Sequence, residues 1–165
     1  MTTRPTLLLV HDDPAIREQM NWALASDYDF VEASDRRSAL KNVRQAMPQI
    51  MLLDLGLPPD TDGASEGLAV LRETLQMDPL VKVIVLTGNS DRANAIAAIQ
   101  SGAYDFIDKP VQLDVLKIVL QRAAYLSNLE QENRSLQQQA KQAEFTGLMG
   151  DSLPMQQVFR NIRLV

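Results

Sequence analysis

The sequence contains no cysteine and only one histidine. Without cysteine, neither a disulfide nor a thiolate metal site can form within the chain. No apolar run approaches the length of a membrane span, and the N-terminus lacks the apolar core of a signal peptide. We therefore expect a cytoplasmic protein without membrane contacts.

Basic residues are also scarce, since 16 Lys and Arg stand against 21 Asp and Glu, a formal net charge of −5. Binding to nucleic-acid phosphates requires clustered Lys and Arg, so this chain is not expected to bind DNA itself. Hydrophobic residues make up 45% and charged residues 22%, which suits a folded domain. The length of 165 residues allows one domain of ordinary size and an appendage.

Short continuous apolar runs alternate with helical patterns along residues 1–125. Continuous runs closed by turn residues indicate strands that are buried on both faces, and their alternation with helices predicts right-handed crossovers. We predict an α/β fold, a doubly wound five-stranded parallel sheet of (βα)5 type. In its fourth helix, capped by Asp91, we expect Ile96 and Ile99 to be buried. The predicted strands are Thr6–Val10, Tyr28–Ala33, Ile50–Asp54, Val81–Leu86 and Tyr104–Ile107.

Polar residues follow four of these strands where each strand ends. The carboxyl ends of parallel strands lie at one edge of a sheet, where open α/β folds bind ligands. The strand-end residues are His11, Asp12, Asp13, Asp54, Thr87 and Lys109.

This set of residue types indicates a phosphoaspartate site. Carboxylates that meet at one point require a cation among them, and oxygen ligands without Cys or clustered His suit Mg²⁺ or Mn²⁺. Lys109 and Thr87 can hold the oxygens of a phosphoryl group, and a carboxylate such as Asp54 can form an acyl phosphate.

Each residue taken alone also has an ordinary explanation. Asp54 could cap a turn, Asp13 could cap the helix that starts at Pro14, and Lys109 could be a surface lysine. Thr87 and the glycine after it could form a plain turn. The order of the residues on successive strand ends is what favours a site.

The motifs in this order resemble the receiver domain of a two-component response regulator, over roughly residues 5–125. They are the acidic cluster after the first strand, Leu-Leu-Asp-Leu-Gly-Leu-Pro around Asp54, Leu-Thr-Gly at 86–88, and Gly-Ala-Tyr-Asp-Phe-Ile-Asp-Lys-Pro at 102–110. The resemblance implies a flavodoxin-like (CheY-like) fold. It also implies that Asp54 accepts phosphate from a histidine kinase and that Lys109 pairs with this phosphate.

The resemblance further implies a switch. Thr87 would move toward the phosphate while Phe106 changes rotamer. This movement would remodel the face built from the fourth helix, the fifth strand and the fifth helix, through which such domains dimerise.

The implied metal ligands are Asp12, Asp54 and the backbone carbonyl of Gly56, with Asp13 as an additional candidate and Mg²⁺ as the ion. His11 stands where the family has an acid, which predicts weakened Mg²⁺ binding and slow phosphorylation. In the alternative, His11 forms a hydrogen bond at the rim of the pocket and Asp13 supplies the missing charge. A second departure from the family is the loop from Pro58 to Gly67, which is longer than the usual connection.

Beyond residue 125 the spacing of apolar residues changes to the heptad pattern of a coiled coil. Residues 126–144 are predicted to form a parallel two-stranded linker that gives a homodimer, because a lone Asn133 at an a position favours that register. The alternative is a single solvated helix, since the repeat is short. The a positions are Leu126, Asn133 and Ala140, and the d positions are Leu129, Leu136 and Ala143.

Residues 145–165 resemble the start of the AAA+ ATPase domain of sigma-54-dependent (NtrC-type) transcription activators. The Pro-Pro-Asp loop and this tail are also similar to regulators found with exopolysaccharide and PEP-CTERM loci. Because the sequence stops at Val165 within this stretch, we expect ATPase and DNA-binding domains beyond it, which would contact DNA and sigma-54 RNA polymerase.

We therefore predict a phosphorylation-controlled receiver that is not itself an enzyme. One alternative is a phosphorylation-independent receiver that works as a constitutive dimerisation module. Another is a phosphatase or phosphotransferase, for which the sequence offers neither a general acid nor a substrate pocket.

Overall fold

Five strands alternate with five helices in the computed structural model, which describes residues 4–88 and 92–149, with side chains as far as residue 143. Two units are distinguished along the chain, divided after Ser127. None of the helices in the described ranges is long and apolar enough to cross a membrane. The elements are β1 (Thr6–Val10), α1 (Pro14–Leu24), β2 (Asp29–Ala33), α2 (Arg36–Ala46), β3 (Ile50–Asp54), α3 (Ser65–Met77), β4 (Lys82–Thr87), α4 (Arg92–Gln100), β5 (Asp105–Asp108) and α5 (Leu113–Met149).

All strand pairs are parallel, and the strand order is β2-β1-β3-β4-β5. The predicted fold class is confirmed. The register aligns Val10 with Leu53 and Thr87 with Asp108, so that the strands end at one edge of the sheet. Residues that follow the strands are thereby brought together.

Apolar layers cover both faces of the sheet, which explains why the strands are continuous apolar runs. Successive residues of a strand point to opposite faces. Leu8 and Leu53 pack in one layer, while Leu7 and Leu52 pack in the other. All five residues of β3 are buried, so this strand lies at the centre of the core.

Side-chain caps fix the starts of two helices. The Asp13 carboxylate accepts a hydrogen bond from the backbone N–H of Ala15 at 2.9 Å, with Pro14 as the first residue of α1. Asp35 accepts from the N–H of Ser38 at 2.8 Å and begins α2. Further along α1, Trp22 is the only tryptophan of the chain and is 88% exposed.

The long connection after β3 ends earlier than the sequence pattern suggests, because α3 begins at Ser65. Gly67 then lies in the first turn of α3, where a Cβ atom would overlap the backbone of Leu55. The helix can approach the end of β3 this closely only with glycine at position 67. Arg36 joins α2 to α3 by ion pairs with Glu66 at 3.1 Å and Glu73 at 2.7 Å.

The prediction that α4 buries Ile96 and Ile99 is wrong, because these side chains are 53% and 42% exposed. Ala95 and Ala98 face the core instead. Two large side chains turned outward leave an apolar surface on α4, and the small alanines let the helix lie close to the sheet. The predicted cap, Asp91, lies outside the described residues.

The helix α5 runs without a break from Leu113 to Met149. In the first unit it buries Leu116, Leu120 and Ala123. In the second unit Leu129 and Leu136 are 44% and 61% exposed. Most of the tail that resembles an ATPase domain, residues 150–165, lies outside the described ranges.

Candidate functional site

Asp54 ends the central strand, and its side chain is buried at the carboxyl edge of the sheet with 3% exposure. The Lys109 ammonium donates a hydrogen bond to its Oδ1 atom at 2.6 Å. The backbone N–H of Lys109 donates to the carbonyl of Thr87 at 2.7 Å, which fixes the lysine beside β4. The structure therefore pairs the two residues that the sequence places at the centre of the site.

His11 follows β1 and is also buried, with 5% exposure. Its Nε2 atom lies 3.5 Å from Oδ2 of Asp54. Lys109 contacts the other oxygen of this carboxylate, Oδ1. Burial lowers the pKa of His11 below its ordinary value, while the negative charge of Asp54 acts in the opposite direction and raises it. His11 thus stands where the resemblance implies an acid.

The two acids after His11 are used differently. Asp12 has a half-exposed side chain whose Oδ1 lies 3.5 Å from Nδ1 of His11. His11, Asp12 and Asp54 each offer an atom within 4.8 Å of the others, which is close enough to surround a metal ion. Asp13 is not in this cluster, and its Oδ1 is bound to the N–H of Ala15 as the cap of α1.

The carboxylates of this cluster fit a hard divalent cation. Two carboxylates at short range suit such an ion, whose charge would add to the compensation that Lys109 gives to buried Asp54. The backbone of Gly56 turns back toward the site, with its N–H 3.4 Å from Oδ1 of Asp54. A Cβ atom at Gly56 would lie 2.5 Å from the carbonyl oxygen of Thr61, so glycine permits this turn.

Thr87 and Phe106 lie on neighbouring strands beside the site. Thr87 is buried, and its hydroxyl lies 3.5 Å from Oδ1 of Asp108. Phe106 is 41% exposed and borders an open cavity of about 470 Å³, which Val115 and Val119 of α5 also line. The predicted movement of Thr87 and Phe106 stays a prediction.

A family model described as the response regulator receiver domain matches residues 7–121. The chain belongs to this family. The family resemblance expected from the order of the motifs is thereby confirmed.

Relatives of this receiver domain include longer regulators. It is 32% identical to the C4-dicarboxylate transport transcriptional regulatory protein DctD of Rhizobium meliloti (strain 1021), over 99% of this chain and 35% of DctD. The crystal structure of NtrX from Brucella abortus superposes with a TM-score of 0.72 at 32% identity, covering 99% of this chain and 35% of NtrX. The NtrX receiver domain alone gives a TM-score of 0.65 at 33% identity, covering 71% of this chain and 96% of that domain. The chain thus spans about a third of the length of the full-length relatives it matches.

An apolar cavity of this receiver domain was not predicted from the sequence. It has a volume of about 280 Å³ and adjoins the site, with His11 and Lys109 on its wall. Ile16 is half-buried on α1 and Val111 is half-buried after β5, and no sequence pattern indicated that these two apolar residues line one cavity. The remaining lining residues are Gln19, Met20, Leu86, Pro110 and Leu113.

Proposed function

We propose that Asp54 accepts a phosphoryl group from a histidine kinase. A carboxylate oxygen of Asp54 attacks phosphorus, the bond between phosphorus and the donor histidine nitrogen breaks, and an acyl phosphate forms on Asp54. The observation that carries the proposal is the buried Asp54 carboxylate held by Lys109 at 2.6 Å. The Lys109 ammonium would pair with the oxygens of the incoming group.

We further propose that the metal ion of this site is Mg²⁺, held by Asp12, Asp54 and the carbonyl of Gly56. The 4.8 Å cluster that contains Asp12 and Asp54 supports the assignment. The bound ion would offset the negative charges of the carboxylates and the phosphoryl group. Asp13, the remaining candidate, already holds the N–H of Ala15.

Phosphorylation is proposed to act through Thr87 and Phe106 on a dimerisation face formed by α4, β5 and α5. Several large apolar side chains are exposed on these three elements and could pack against a second copy of the chain. They are Ile96 and Ile99 of α4, Phe106 of β5, and Val115 and Ile118 of α5.

The linker helix is proposed to provide a second dimer contact through residues 126–144. In the single chain Leu129, Asn133 and Leu136 are exposed, which leaves the a/d seam open to a partner helix. The division into a receiver at 1–125, a linker at 126–144 and the start of an AAA+ ATPase at 145–165 is part of the same proposal.

The output is proposed to be sigma-54-dependent transcription through domains beyond this chain. The relatives named as the transcriptional regulatory protein DctD and the DNA-binding transcriptional regulator NtrC support a role in transcription. The kinship with regulators of PEP-CTERM loci stays a prediction.

Phosphoacceptor function is tested with acetyl phosphate or beryllofluoride in the presence of Mg²⁺. Amide NMR shifts around Thr87 and Phe106 are expected to change in the wild type and to stay unchanged in Asp54→Asn. Asp62→Asn, an exposed acid on the loop after β3, is the matched control and should respond like the wild type. An equal response of wild type and Asp54→Asn would remove Asp54 from this role.

A second candidate function is a constitutive dimerisation module that does not use phosphate. The neutral His11 in place of an acid favours this candidate, because it leaves the metal cluster with two carboxylates, Asp12 and Asp54. Absence of phosphate incorporation at millimolar Mg²⁺, together with dimers under all conditions, would support it.

A further inference from the structure

The backbone of His11 is held on both sides. Its N–H donates to the carbonyl of Ala33 at the end of β2, at 3.0 Å. Its carbonyl oxygen accepts a hydrogen bond from the Arg17 guanidinium at 2.6 Å. The ring therefore projects from a fixed point of the chain.

One ring nitrogen has a defined partner. The backbone N–H of Asp13 donates to Nδ1 of His11 at 3.1 Å. An imidazole nitrogen can accept a hydrogen bond only when it carries no proton, so Nδ1 is unprotonated. The hydrogen-bond network thereby assigns the single proton of the neutral ring to Nε2.

The protonated nitrogen faces the phosphoacceptor. Nε2 lies 3.5 Å from Oδ2 of Asp54, and Lys109 occupies Oδ1 at 2.6 Å. The His11 distance exceeds the usual 2.7–3.2 Å range, but a shift of a few tenths of an ångström closes it, and site hydrogen bonds often shorten when the site is filled. Nε2 is therefore the ring atom placed to donate to Oδ2, the carboxylate oxygen that Lys109 leaves open.

We propose that His11 is a positioning residue for Asp54, donating from Nε2 to its carboxylate, and that the ring does not bind the metal ion. In the proposed tautomer neither nitrogen has a free lone pair, because Nδ1 accepts from Asp13 and Nε2 carries the proton. Mg²⁺ also prefers oxygen ligands. An acid at position 11 would repel Asp54, whereas the Nε2–H of His11 can donate to it and, together with Lys109, orient it before a metal ion binds.

The part of this inference that concerns Mg²⁺ rests on the proposed function. The tautomer of His11 and the affinity for Mg²⁺ are both measured on the unphosphorylated chain. Their outcomes therefore do not depend on whether Asp54 accepts phosphate. His11 is the only histidine of the chain, and its ring signals therefore need no assignment by mutation.

Long-range ¹H–¹⁵N NMR on residues 1–165 near neutral pH tests the tautomer. We expect one tautomer, with Nε2 protonated and Nδ1 unprotonated, and we expect this state to persist when Mg²⁺ is added. A proton on Nδ1, a mixture of tautomers, a doubly protonated ring, or a Mg²⁺-induced change of tautomer would overturn the proposal.

Calorimetric titration of Mg²⁺ into two variants tests the role in metal binding. His11→Asp adds a charge a few ångströms from the ion and should bind Mg²⁺ roughly tenfold more tightly than the wild type. His11→Gln keeps a neutral N–H donor at the same reach and should bind Mg²⁺ like the wild type. Tighter binding by wild type than by His11→Gln would show that the ring is a ligand, and equal affinity of wild type and His11→Asp would also contradict the inference.

Discussion

At the scale of single residues, the pair of Lys109 and Asp54 balances a buried charge. Asp54 is 3% exposed, whereas the Lys109 side chain is 39% exposed. A buried carboxylate that loses its cation is costly, while the pair itself contributes little beyond that compensation. The lysine should therefore affect the free energy of unfolding as well as signalling.

Removal of this cation is the first prediction. Without divalent metal, Lys109→Met should lower the free energy of unfolding by about 1–3 kcal/mol, because Asp54 stays buried beside Asp12. Urea unfolding in EDTA measures the change. Adding Asp54→Asn to Lys109→Met should recover most of the loss, because the buried carboxylate charge that lacks a cation is then removed as well.

Lys117→Met, at an exposed position of α5, is the matched control and should unfold within about 0.5 kcal/mol of the wild type. A Lys109→Met protein as stable as this control would contradict the prediction.

Residues at strand ends were predictable because their positions follow from the strand pattern. Asp54 and Lys109 were placed together from the sequence, and the structure joins them at 2.6 Å. The orientation of His11 was not predictable, since it depends on the backbone N–H of Asp13 at the start of α1. A sequence gives residue types and spacing but not the direction of one N–H group.

At the scale of elements, the N-cap of α2 carries a second prediction. Asp35→Ala should lower the free energy of unfolding by about 1 kcal/mol, because the hydrogen bond from the Ser38 N–H is lost. Asp35→Asn should keep most of this stability, because an Asn side chain can also cap the helix. Chemical unfolding of the two variants at neutral pH gives both values. Equal losses in the two variants would contradict a capping role.

The same cap predicts a dependence on pH. Hydrogen bonds from Ser38 lower the pKa of Asp35 in the folded chain below the ordinary value of 3.8. The unfolded chain therefore binds this proton more readily, so acid favours unfolding. The stability advantage of wild type over Asp35→Asn should be constant above pH 3.8 and should shrink as the pH falls below that value through the lowered pKa. A constant difference down to the lowest pH would contradict this assignment.

The first turn of α3 gives a third prediction. Gly67→Ala should destabilise the fold by about 1–3 kcal/mol, because its Cβ would meet the backbone of Leu55, which cannot yield without moving the end of β3. Gly63→Ala is the control, since the atoms nearest its Cβ belong to the side chain of Asp60, which can turn away at the cost of its hydrogen bond from the Ser65 hydroxyl. In the Gly67→Ala variant, the midpoint temperature of thermal unfolding should be well below that of Gly63→Ala. The reverse order would contradict the close packing of α3 against the end of β3.

The packing side of α4 shows a limit of sequence patterns. Two pairs of apolar residues in α4 offer alternative inner faces, namely Ala95 with Ala98 and Ile96 with Ile99. Size favoured the isoleucines in the prediction, but the alanines are the buried pair. The choice depends on the space between helix and sheet, which no single helix reveals.

At the scale of the whole molecule, the fourth prediction concerns assembly. Sedimentation at tens of micromolar should show a dimer, and replacing Leu129 and Leu136 together by Asn should shift it toward monomer, because two d positions lose their apolar contacts. Gln138→Asn, on the outer side of the heptad, should leave the dimer intact. A wild-type monomer with and without beryllofluoride would exclude the predicted linker contact.

The single tryptophan of this molecule determines which optical signals can be used. Trp22 is 88% exposed on α1, so its emission should resemble that of an indole in water and be quenched readily by iodide. Because the indole is already solvated, its fluorescence should change little when the carboxyl edge of the sheet is occupied. A blue shift or loss of iodide quenching would instead report a protein surface covering α1, which gives this chain an intrinsic optical probe for docking partners.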